Sequence, residues 1–215
     1  MTNSAHRRPR DLLISIAIGL ALLALALITR HTSLGAFAWP DEQTWLERSA
    51  AFVTAIERGD LSGTYLTDHP GVVPMWGFGT ALAIRARMAD DRATLDALAA
   101  GEYEGDYPAQ LAAAATFTVL FTSLAVIAAY FLLIPLLGRA GAALAGLLLA
   151  IDPFSLSHSR IVHVDAILAS AMLLSVLSLL VYLKRRSDHA FVVGASAPLS
   201  LAEATTPNAS THPHT

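Results

Sequence analysis

The sequence contains no cysteine, which excludes a disulfide framework, a thiolate nucleophile and any cysteine-ligated metal. Charge is scarce too: 14% of the 215 residues are Asp, Glu, Lys or Arg, against about 25% in soluble globular chains. The 14 basic residues face 17 acidic ones, a formal net charge of −3, so no polybasic surface speaks for nucleic acid. Glycine-rich phosphate loops, a Gly-x-Ser-x-Gly elbow and zinc-type histidine spacings are likewise missing. What the chain has instead is hydrocarbon, with 54% hydrophobic residues and a mean hydropathy of +0.53. This excludes a wholly disordered chain and points to a membrane protein.

Charge-free windows locate the spans. Leu12–Thr29 and Ala166–Leu183 each run 18 residues without a charge, and Pro108–Gly138 runs 31. A hydrocarbon core about 30 Å thick needs about 20 apolar helical residues, so all three qualify. A weaker run, Ala140–Ile151, has 12 residues before Asp152-Pro153 interrupts it. It crosses only if Phe154 and Leu156 extend it, or if it emerges into a protein-lined cavity. The expectation is an all-α polytopic membrane protein with four transmembrane helices, at 12–29, 110–137, 140–157 and 164–183. The first reads as a retained signal anchor, because no Ala-x-Ala-like site follows Ile28.

Basic residues set the orientation. Arg7, Arg8 and Arg10 precede the first span, Arg139 sits in the turn after the second, and Lys184-Arg185-Arg186 follow the last. Residues 30–107 hold six Arg, no Lys and twelve acidic residues, a net of −6. The segments 1–11 and 184–215 are therefore expected in the cytoplasm, residues 30–107 and the mouth at 158–163 outside, and the protein in the plasma membrane. Within the long loop, Asp41–Arg58 reads as a helix with Trp45, Phe52, Val53 and Ile56 near one face, ended by Gly59-Asp60. Val72–Ile84 reads as a helix lying on the outer leaflet, with Trp76 and Phe78 at headgroup depth. Residues 89–106 are acidic and expected to be exposed.

Three constellations could carry chemistry. Trp39-Pro40-Asp41-Glu42 puts two carboxylates at a helix start, where they serve either as an N-cap or as a base, a substrate anchor or ligands for a divalent cation. Thr67-Asp68-His69-Pro70-Gly71 is either a turn or a binding segment. Between Asp152 and Asp165 lie His158, Arg160 and His163, ionisable groups that either mark a functional site at membrane depth or are simply positioned at the interface, with Asp165 at a helix end. If residues 157–165 are helical, His158 and Asp165 share a face. Ala142 and Gly146 form a small-xxx-small packing signal.

The order of these features resembles the N-terminal part of the C-type membrane glycosyltransferases, within them the protein O-mannosyltransferase and aminoarabinose transferase group. The residues that carry the resemblance are Asp41-Glu42, Gly59-Asp60-Leu61, His69-Pro70-Gly71-Val72, and Asp152-Pro153 through Asp165, over about residues 36–186. It implies inverting transfer of a sugar from a polyprenyl-phosphate donor to an acceptor hydroxyl, on protein or glycolipid, outside the membrane. Asp41 matches the family's first-loop acid, a general base that takes the acceptor proton. Glu42 and Asp165 would orient acceptor or supporting groups, Asp68 and His69 belong to the binding segment, and Arg160 or His163 would meet the leaving phosphate. The family carries more helices than four, and Ser187–Thr215, rich in Ala, Ser, Thr, Pro and His, reads as a disordered tail foreign to it. The expectation is a shortened chain, with a non-catalytic scaffold or degenerate paralogue as the rival and a transporter fragment as a third reading. The Asn208-Ala209-Ser210 sequon falls on the expected cytoplasmic side.

Overall fold

A computed structural model describes residues 9–204 apart from 33, 37, 67–70 and 106, with side chains described as far as Ser187. Among these residues are seven α-helices and one 3-10 turn, Ser62–Thr64, with no strand. They are α1 (Pro9–His31), α2 (Pro40–Arg58), α3 (Val72–Met88), α4 (Arg92–Ala100), α5 (Pro108–Ile151), α6 (Pro153–His158) and α7 (Asp165–Ala204). Proline opens α1, α2, α5 and α6, the position where its fixed φ helps and its missing N–H costs nothing. Asp60 follows α2 and accepts from the Ser62 hydroxyl (2.6 Å) and the Gly63 N–H (3.0 Å), which hold its carboxyl below the usual range.

Among the described residues, three helices are long and apolar enough to cross a membrane: Pro9–His31, Pro108–Ile151 and Asp165–Ser187. The run Ala140–Ile151 is not separated from its predecessor by a loop. It is the second arm of α5, which leaves helical geometry at Gly138 (φ 73, ψ 173). That conformation is essentially restricted to glycine, and it folds the helix back on itself. Tyr130 packs with Ala142 and Leu22, and Val126 with Ala150 and Ala26. These pairs are centred on residues 136 and 138, next to the break, as in an antiparallel hairpin clasped by α1. The packing is close: a Cβ on Gly146 would lie 2.7 Å from Leu22 Cδ1. At the turn, Arg139 Nη2 pairs with Asp11 Oδ1 (3.0 Å). Lys184 Nζ donates to the Pro135 carbonyl (2.6 Å), one of the orphan acceptors at the end of the first arm.

The segment between α1 and α5 wraps the first turns of α5. Leu46, Phe78 and Leu98 are almost wholly buried in the core shared by α2, α3, α4 and α5, each contributing about 1.5–3 kcal/mol by burial. Around its rim, Glu57 pairs with Arg87 and Arg92, and Asp96 with Arg58 and Arg92. These ion pairs are partly exposed, worth about 1 kcal/mol or less each, so the apolar core dominates. α3 runs antiparallel along α5. Phe78 meets Phe117 edge-on with centroids 5.8 Å apart, whereas Arg85 and Ala86 share a small cavity with Gln110.

Residues 159–164 are turns and bends, not helix. The conditional face joining His158 to Asp165 therefore does not exist. The backbone of α7 stays helical through Ala204, past the basic triplet at 184–186.

Candidate functional site at the mouth of the bundle

The ends of α1 and α5, the start of α2, the short α6 and the start of α7 converge on the side of the membrane that carries the long loop. Glu42 is the hub. The third residue of α2, it is only 2% exposed, and both carboxylate oxygens accept backbone amides. Trp39 N–H donates to Oε2 at 2.7 Å, closing the helix N-terminus as in a capping box. Val162 N–H, 120 residues further along, donates to Oε1 at 2.6 Å. One turn on, Trp45 meets His163 edge-to-face, with centroids 6.1 Å apart. α2 is thus fastened to the 159–164 loop.

Asp41 stands beside this fastening and behaves differently. It is exposed, and no hydrogen bond or ion pair engages its carboxylate among the described residues. The N-cap itself is Trp39, so Asp41 is not the cap; it lies in the first turn, where a negative charge is favoured by the helix dipole. The adjacent acids therefore have separate employment, Glu42 structural and Asp41 free. Each Glu42 oxygen already accepts one backbone amide, and no group of three metal-ligating side chains occurs among the described residues.

Two arginines clamp the mouth. Arg30, fully buried at the end of α1, donates to the carbonyls of Ala150 (3.0 Å) and Leu149 (3.1 Å) and to Ser155 Oγ (3.1 Å). It satisfies carbonyls that the end of α5 leaves orphaned. Arg160 reaches back to the Thr29 carbonyl (2.5 Å) and Thr32 Oγ1 (3.1 Å), and it lines a cavity of about 580 Å³ with Trp39 and Pro153. Asp152 caps α6 by accepting from Ser155 N–H (2.7 Å). His163 Nδ1 lies 3.1 Å from Asp165 Oδ2, close enough for an ion pair but misaligned for a hydrogen bond. A cavity of about 420 Å³ between α5, α6 and α7 is lined by His158, Asp165, Phe154 and the hydroxyl-bearing Thr122, Ser155 and Ser170. α6 and α7 thus bring His158 and Asp165 to one cavity without a continuous helix.

Of the candidate residues, Glu42, Arg160, His163 and Asp165 meet at this mouth, and Asp41 opens the helix that Glu42 anchors there. Asp68 and His69 lie outside the described residues, as does the sequon at 208–210. Arg30 was missed by sequence reasoning, because a lone arginine ending an apolar span reads as an interface residue. Its only sequence signal is a cation on the side that the basic-residue bias leaves poor in them.

An all-helical integral membrane protein with a polar, half-enclosed mouth on one side is the class that fold and site define. Residues 63–205 match the family model described as dolichyl-phosphate-mannose-protein mannosyltransferase. The match covers two thirds of the chain, which belongs to this family of membrane glycosyltransferases. It runs through residue 205, so the stretch 187–204 that composition sets apart falls inside it. It begins after Asp41 and Glu42, which lie outside it. No match to an individual curated protein or to a solved structure reaches significance.

Proposed function

We propose that the chain is the N-terminal membrane module of an inverting glycosyltransferase. It moves a hexose or pentose from a polyprenyl-phosphate donor to an acceptor hydroxyl, on protein or glycolipid, at the outer face of the plasma membrane. Both arms of α5 cross, giving four spans with the N-terminus in the cytoplasm. The second arm supports this by touching both ends of α1, Arg139 at Asp11 and Ala150 at Arg30. Asp41 takes the proton of the acceptor hydroxyl as the new bond to the sugar forms and the bond from sugar to phosphate breaks. The phosphate leaves with its negative charge and is met by Arg160 or His163. Asp165 orients a substrate hydroxyl, and Asp68 and His69 contribute from the loop.

The observation that carries this reading is the free, exposed carboxylate of Asp41 on a helix start that Glu42 locks against the Arg160–His163 loop. A non-catalytic scaffold is the second reading, favoured by the structural use of Glu42. Native membranes carrying the chain, given labelled polyprenyl-phosphate mannose, should transfer label to protein or glycolipid faster than membranes from which the gene has been deleted. Equal transfer in both would favour the scaffold.

A further inference from the structure

A cavity of about 850 Å³ lies away from the mouth, between α3 and the first turns of α5. Its walls are apolar, from Val73, Trp76 and Ala81 on α3 and Ala113 and Leu120 on α5, and one cation, Arg85, lines it. The register of α3 on α5 orders these groups. Arg85 lies level with Gln110 and Gly77 faces Phe117, so Val73 and Trp76 reach toward Leu120. The edge of the hydrocarbon can be placed independently. His31, the last residue of α1, lines a cavity with Ala112 and Thr116, so the outer end of the first span is level with that turn of α5. The groove straddles this edge, with Leu120 on the hydrocarbon side and Arg85 on the headgroup side.

We infer that this groove holds a phospholipid of the leaflet on the loop side, its acyl chain along Trp76 and Leu120 and its phosphate at Arg85. The polarity gradient of the groove is that of a lipid crossing the interface. Trp76, half exposed in the wall, has the amphipathic ring favoured at that depth. Arg85 Nη1 is 3.8 Å from Asp91 Oδ2, a loose pair that leaves most of the five guanidinium donors for phosphate oxygens. Arg87, at the same end of α3, is instead occupied by Glu57 at 2.8 Å. The inference depends on the membrane spans and is independent of the transfer chemistry.

The test uses the full chain in nanodiscs of phosphatidylcholine with a trace of phosphatidylcholine carrying a diazirine on one acyl chain. Photolysis and peptide mapping should place the label mainly in residues 73–88 and 113–120. Ala81→Trp, which fills the groove, should remove most of it. Arg85→Gln should lower it about tenfold, the low end for a charge-assisted hydrogen bond, to the level given by a diazirine diacylglycerol that has no phosphate. Label spread evenly over α1, α5 and α7, or unchanged by Ala81→Trp, would overturn the site. Unchanged labelling in Arg85→Gln would overturn the phosphate contact. A dimer by native mass spectrometry that Ala81→Trp dissociates would show that a second copy occupies the groove instead, and would also overturn the proposal.

Discussion

Removing the Glu42 carboxylate should loosen the mouth, because two amides lose their acceptor together. In Glu42→Ala, Trp39 N–H and Val162 N–H, which donate to Glu42 at 2.7 and 2.6 Å, are left without it. Each hydrogen bond to a charged acceptor contributes about 1.5–3 kcal/mol, and the buried Val162 donor, left unsatisfied, costs a similar amount, whereas the Trp39 N–H is only part-buried. Relief from keeping a charge almost fully buried offsets part of the sum, leaving a destabilisation of about 2–4 kcal/mol. At about 2–4 °C per kcal/mol for a chain of this size, the Tm in detergent should fall by about 5–15 °C. Glu42→Gln keeps one acceptor oxygen but turns an NH₂ toward the other amide, so about half that loss is expected. Asp41→Ala, removing an exposed and unpartnered carboxylate, should cost about 1 kcal/mol or less. Differential scanning fluorimetry of the three variants reads the order directly. A Glu42→Ala protein as stable as the parent would refute the assignment of Glu42 as the fastening between α2 and the 159–164 loop.

Other consequences are as specific. Gly138→Ala should destabilise the hairpin by about 1–3 kcal/mol. Nothing lies within 4 Å of the added Cβ, so the cost is conformational, and an unchanged Tm would mean that the turn is not held at positive φ. Arg30→Met should raise amide hydrogen exchange across residues 149–158, because the Leu149 and Ala150 carbonyls and Ser155 lose their shared donor; protection equal to the parent would show that the arginine is no clamp. With no native cysteine, Leu61→Cys at a site 75% exposed reports topology. An impermeant maleimide should label it in intact cells, and labelling only after lysis would place residues 30–107 in the cytoplasm.

The all-helical fold and the three long apolar helices were legible because hydrocarbon burial demands an unbroken apolar sequence, and charge-free windows show that without knowledge of tertiary contacts. The face of α2 was equally legible: Trp45 and Phe52 recur at helical spacing and are buried. The division of labour between Asp41 and Glu42 was not. The partner that decides it is a backbone N–H at Val162, and every residue type except proline offers one, so no pattern in the sequence marks it. Arg30 was hidden for a related reason, since its acceptors at 149 and 150 are carbonyls brought near only when α5 folds back at Gly138. The shared cavity of His158 and Asp165 depends on a break in helix between them, where sequence reading offered a continuous helix as the condition for their meeting.

Asp41 is a carboxylate at the mouth that the fold leaves free. Asp41→Asn, introduced at the native locus, should fold normally, since the residue is exposed and is not the N-cap. Loss of a general base lowers turnover by roughly 10²–10⁴-fold. The direct measurement is the rate of sugar transfer from labelled polyprenyl-phosphate donor in native membranes, with abundance and thermal stability of the variant checked in parallel. The expected result is a protein as abundant and as stable as the parent with transfer down by at least about a hundredfold; transfer near the parent rate in an equally stable protein would show that Asp41 is not the base.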